Sequence, residues 1–186
     1  MKKLLTSALL LALSCSLLTA SPGLPPGRRA STPYDRYMAP VHRVLRSLNG
    51  QPPSFEKVAA LTRKGYNFRY VYDEPYVAPL PQVTEARRAG DCKAKSLWLA
   101  NAMNDPSVRY VIGKARRTSK ISHAWLMWKY KGQWWILDPT NTPKPIPAAS
   151  ASPDEYIVFY TYDRNGSYKH QTPWRNRAVA DQDAED

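Results

Sequence analysis

The sequence predicts an α+β domain, and three observations carry that prediction. Apolar residues recur at helical spacing in the first half of the chain, strand-like runs follow one another in the second half, and a nearly continuous apolar helix opened by Gly90, Asp91 and Cys92 lies between them. Helices followed by consecutive strands pack on an antiparallel sheet, whereas helices and strands in alternation would build a parallel one. With 186 residues and 43% hydrophobic composition, one domain with a sizeable core is expected, and 17 Pro predict many irregular connections.

Residues 1–20 read as a secretory signal peptide: Lys2 and Lys3 give a positive start, Leu4 to Leu18 an apolar run, and Thr19, Ala20 and Ser21 a small-residue cleavage site. The apolar run is about fifteen residues, short of the roughly twenty that a spanning helix needs, so an exported, periplasmic or secreted chain with no transmembrane helix is expected. Ala12, Leu13, Ser14 and Cys15 weakly resemble a lipoprotein cleavage box, with Ala12 where Leu is usual, so a lipid anchor at Cys15 is the alternative. Either way Cys15 is removed or acylated, and Cys92 is left as the free thiol of the mature chain in an oxidising compartment.

Residues 21–34 form a Pro/Gly-rich leader, read as a flexible tether before a domain spanning 35–171. A first helix is predicted over Pro40 to Leu48 from Val41, Val44, Leu45 and Leu48, and a second from Ser54 as N-cap to Gly65. His42, beside the first stripe, reads as a packing residue. Tyr66, Phe68, Tyr70 and Tyr72 alternate as in a half-buried strand or an extended segment on the core, a pattern that is usually scaffold. A short helix through Val83 to Arg88 precedes Gly90. The cysteine helix follows, apolar from Leu97 to Met103 except for Asn101, until Asp105 and Pro106 break it. Strands are predicted over 108–116, 122–130, 133–139 and 155–162, with a loop between the last two and a disordered tail from 172 to 186 that ends acidic.

The net charge is +12, densest at Lys114, Arg116, Arg117 and Lys120, which reads as a solvated loop before an attractor of acidic or cell-envelope partners. An exported chain without a recognisable nucleic-acid-binding motif argues against nucleic acid. Three scattered His and one mature Cys offer no ligand cluster, so no metal or other cofactor is expected.

The chemistry is concentrated in three residues. A two-residue hairpin at Lys131 and Gly132 pairs Tyr130 with Gln133, sets Trp125 opposite Asp138, and makes His123 and Asp138 diagonal neighbours on one face. A three-residue loop would place them on opposite faces. A carboxylate beside an imidazole fixes its tautomer and favours its protonated form, which suits a general base acting on a thiol. Cys92 at a helix N-terminus, with Asp91 as N-cap, is placed where unpaired N–H groups favour the thiolate. Taken singly, Cys92 reads as a core thiol, His123 as a strand histidine and Asp138 as a turn residue.

Together, GDC opening a helix, SHAW opening a strand and WWILDPTN closing the next resemble the three signature boxes of the transglutaminase-like superfamily. Within it the chain is most similar to bacterial transglutaminase-like cysteine proteinases of papain-like fold. The resemblance implies Cys92 as nucleophile, His123 as base and acid, and Asp138 as orienting group, acting on protein or peptide amides through a thioester. Hydrolysis and transfer to an amine are both open to such an intermediate. A non-catalytic envelope-binding protein or lipoprotein of the same fold is the rival. One departure stands out: such proteinases typically follow GDC with acidic residues associated with calcium, whereas Lys93, Ala94 and Lys95 follow here.

Overall fold

The architecture, given by a computed structural model that describes residues 24–25, 27–74 and 76–171, is a layer of helices on one face of an antiparallel sheet. The helices are α1 (Ala39–Ser47), α2 (Phe55–Tyr66), α3 (Pro81–Arg87) and α4 (Cys92–Met103). The strands are β1 (Gly27–Arg29), β2 (Arg109–Arg116), β3 (His123–Tyr130), β4 (Gln133–Leu137), β5 (Ile146–Pro147), β6 (Glu155–Asp163) and β7 (Gly166–His170). They lie in the order β1-β7-β6-β2-β3-β4-β5, and every named neighbouring pair is antiparallel. Among the described residues no helix is long and apolar enough to cross a membrane.

The α1 stripe is buried as its spacing predicts, at Val41, Val44 and Leu45, with Leu48 just past the end. His42 lies against Tyr162, its Nδ1 without a hydrogen-bond partner in the structure, in keeping with a packing role. Ser54 caps α2 by accepting the Lys57 N–H at 3.3 Å. The central element is α4, in which Ala94, Leu97, Trp98, Leu99, Ala100 and Met103 are buried among α1, α2, α3 and β3.

The two faces of the sheet carry different cores. The helix side joins Leu97, Trp98, Tyr110, Leu126, Trp128 and others. The opposite side gathers Val111, Trp125, Met127, Ile136 and Val158, covered by Leu24, Ile146, Ala148, Ala151 and Tyr156. The segment expected as a plain loop before β6 thus closes the back of the sheet with β5 and a short 3-10 turn.

Three expectations change. The leader is no tether where it is described: β1 pairs with β7, and Tyr34 is 1% exposed in the core. The sequence reading also missed β7, a short strand with a single buried residue, His170. Tyr66 to Tyr72 is not a ladder strand. Tyr66 ends α2, an isolated parallel bridge joins Arg69 to Ala89, and only Phe68 of the alternating aromatics is buried. The signal region and the tail lie outside the described residues.

Gly113 marks a close approach between strands. The β2–β6 register shifts between Ile112 and Gly113, and a Cβ at Gly113 would stand 2.0 Å from the Ile157 carbonyl oxygen. Backbone cannot yield as a side-chain tip does, so Gly113→Ala is expected to cost about 1–3 kcal/mol. A lowered urea midpoint with unchanged denaturant slope is the expected reading.

Candidate active site

Cys92 is the first residue of α4 and is partly exposed. Gly90 and Asp91 set it there. A Cβ at Gly90 would lie 2.7 Å from the Ala94 Cβ, so the chain enters the helix tightly, and Asp91 accepts the Ala94 N–H at 3.0 Å as a true N-cap. One turn on, Ser96 donates to the Ala124 carbonyl at 3.1 Å, which locks α4 against the strand residue next to His123. Tyr110 of β2 adds a bond from its hydroxyl to the Lys93 carbonyl at 3.3 Å.

The hairpin has the predicted two-residue turn. Lys131 and Gly132 both have positive φ, 48° and 81°, as a turn matched to strand twist requires, and the register runs from Tyr130–Gln133 to Leu126–Leu137. The same register continued carries His123 and Asp138 to one face. His123 Nε2 lies 2.8 Å from Asp138 Oδ2, with side chains 12% and 0% exposed. Asn141 Nδ2 lies 3.1 Å from the same Nε2, and Cys92 stands with His123 at the wall of one cavity, close enough to act on the ring's charge. All three residues singled out in the sequence therefore meet.

Other partners of Asp138 were not foreseen. Asn141 Nδ2 donates to Oδ2 at 2.8 Å and Tyr156 donates its hydroxyl to the same oxygen at 3.2 Å, while the Thr140 N–H reaches Oδ1 at 3.0 Å. Asn141 stands three residues after Asp138, a spacing typical of local side-chain turns and so readable in principle. Tyr156 has no such signal, because the sheet and its positive φ of 49° bring it to the site. Trp125 lies beneath both, stacked with His123 at 5.9 Å and edge-on to Tyr156 at 5.5 Å.

Electrostatics follow from these contacts. Burial alone would depress His123, but its hydrogen bonds to Asp138 and Cys92 and the charges of both outweigh it, and its pKa rises from 6.5 to about 10. Burial would raise Asp138, but His123, Thr140 and Asn141 hold it below its ordinary 3.8. The histidine's contribution to stability is therefore complete below pH 6.5 and is lost as pH rises through about 10. The aspartate's is complete above 3.8 and is lost as pH falls through its lowered value. The thermal midpoint is expected to fall progressively between pH 6.5 and about 10, and His123→Gln is expected to flatten that fall.

A cavity of about 140 Å³ opens at Cys92 and His123, walled by Tyr70, Tyr72, Tyr76 and Ile121. Tyr70 is pushed up to about 12 by burial and then by Cys92 and Asp91, so its hydroxyl stays protonated. The Tyr70 and Tyr72 rings, read from the sequence as scaffold, line this cavity and are only partly covered there. Among the tryptophans, Trp98, Trp125 and Trp128 are core, whereas Trp134 and Trp135 are half-buried. The dense basic run lies away from this cavity, at the end of β2 and beyond, where Arg117 pairs with exposed Asp154 at 3.6 Å.

No protein-family model and no curated protein matches this chain. Among solved structures, Legionella pneumophila LapG is similar, with 16% identity over 84% of this chain and 97% of its own, at a TM-score of 0.53. Its calcium-bound form gives 19% identity, 84% and 91% coverage and a TM-score of 0.50. Its EGTA-treated form gives 16%, 85%, 98% and 0.51. At such identity the likeness is one of fold: this chain has the papain-like, transglutaminase-like α+β fold of LapG.

Proposed function

We propose that the protein is an exported cysteine-dependent amide hydrolase or acyltransferase working through Cys92, His123 and Asp138. The observation that carries this reading is the meeting of Cys92, at the start of α4, with His123 at the wall of one open cavity, where Asp138 holds the His123 ring at 2.8 Å. The thiolate of Cys92 attacks the carbonyl carbon of a peptide or carboxamide bond, and the carbonyl electron pair moves onto oxygen. The Cys92 N–H, at the positive end of α4, receives that oxyanion. Protonated His123 gives its proton to the departing amine as the C–N bond breaks, leaving a thioester. His123, now neutral, takes a proton from water or from an incoming amine, which attacks the thioester and restores the thiolate. Asp138 stays ionised throughout and holds the ring.

A divalent cation does not fit beside the nucleophile. One Asp91 oxygen caps Ala94, the other is paired with the ammonium of Lys93, and that ammonium also occupies the Asp73 carbonyl. Calcium seeks oxygen ligands and is repelled by a cation in their midst. No step is therefore routed through a metal ion.

The test is intact mass spectrometry of the protein after brief incubation with cell-wall peptides or envelope proteins. An added mass equal to an acyl fragment, bound at Cys92 and discharged by hydroxylamine, is expected. A His123→Ala chain that traps the adduct equally well contradicts the mechanism.

A further inference from the structure

Two lysines following Cys92 have a role that the triad chemistry leaves unassigned. Lys93 and Lys95 are only 4% and 2% exposed, although an ammonium is strongly hydrated and seldom buried without partners. Lys93 Nζ donates to the Asp91 carboxylate and, at 2.7 Å, to the Asp73 carbonyl. It also lies over the Tyr72 and Tyr76 rings at 5.4 and 5.5 Å, so its charge is met on every side. Lys95 Nζ donates to the Phe68 carbonyl at 2.6 Å. The segment from Phe68 to Asp73 is thus held at both ends by ammonium groups from the first turn of the helix that carries Cys92. That segment supplies Tyr70 and Tyr72 to the cavity wall.

Asp91 gives the arrangement a second consequence. It is 2% exposed and adjacent to Cys92, and an unpaired buried carboxylate there would oppose a neighbouring thiolate. The Lys93 ammonium cancels that charge while leaving the cap intact. We propose that Lys93 is a built-in cation, which fixes the cavity wall and neutralises Asp91 beside the nucleophile, so that no bound metal ion is needed at this place. Lys93 is a positioning residue, and the proposal rests on the reading of Cys92 as nucleophile.

The test is the rate of iodoacetamide alkylation at Cys92, read by peptide mapping of the full chain near neutral pH. Wild type, Lys93→Met and Lys93→Arg are compared in excess calcium and in EGTA, with thermal unfolding followed alongside. Wild type is expected to show the same rate and midpoint in both media. Lys93→Met, which keeps the length and loses the charge, is expected to be slower by about tenfold with no recovery in calcium. Lys93→Arg is expected to stay within about threefold of wild type. Where Lys93→Met does not fold, Lys93→Ala with added propylammonium replaces it, and recovery of alkylation is the supporting result. Slowing of wild type by EGTA, a Lys93→Met rate equal to wild type, a folded Lys93→Arg as slow as Lys93→Met, or no recovery with propylammonium overturns the proposal. Peptide hydrolysis by wild type, measured in parallel, tests the nucleophile reading separately.

Discussion

Cys92→Ser is expected to lower amide hydrolysis by roughly a thousandfold or more while barely moving the thermal midpoint. The asymmetry comes from the placement of the residue. Cys92 is partly exposed at the first position of α4, and the bonds that secure this turn are made by Asp91, Lys93 and Ser96. Exchanging sulfur for oxygen touches none of them. The chemistry fares differently, because His123 is held protonated well above neutral pH by its carboxylate and thiol partners. An imidazolium complements a thiolate but cannot take the proton from a serine hydroxyl, so the nearest isostere lacks both the nucleophile and its base. Steady-state kcat/KM and a thermal scan on the same preparation check both halves.

Asp138→Ala is expected to fail in both respects. The carboxylate is fully buried and accepts from His123, Asn141, Tyr156 and the Thr140 N–H. Deleting it leaves the largely buried, charged His123 ring without its acceptor and the half-buried Tyr156 and Thr140 donors without theirs, at a cost of about 3–5 kcal/mol. It also frees the His123 ring, for which a loss of roughly 10²- to 10⁴-fold in kcat is expected. Asp138→Asn should retain much of the stability and little of the activity, since an amide can accept a bond but cannot balance the imidazolium. Urea midpoints and kcat for the pair of variants separate the two losses.

The site was legible in the sequence to an unusual depth because its three residues sit on local devices. A Gly-Asp N-cap positions Cys92, and the Lys131–Gly132 turn fixes the register that joins His123 to Asp138. Each device depends on neighbours within a few residues, where patterning and turn chemistry are strongest. What stayed hidden depends on tertiary placement. Tyr156 reaches Asp138 only through the sheet, β1 finds its partner at the far end of the chain, and Tyr70 and Tyr72 line the cavity from a segment whose Phe68 and Asp73 carbonyls accept from buried lysines. A helix-start lysine usually reads as solvated, and nothing in the order of residues 93–95 announces that its partners are Asp73 and Phe68 carbonyls.

The claim at the centre is that His123 activates Cys92. The rate at which iodoacetamide alkylates Cys92 near neutral pH, compared between wild type and a folded His123→Ala chain, tests it most directly. Fast labelling of wild type and a fall of about tenfold or more in the variant is the predicted result. Slow labelling that is the same in both chains would contradict it and leave Cys92 as a thiol in a binding module of the same fold.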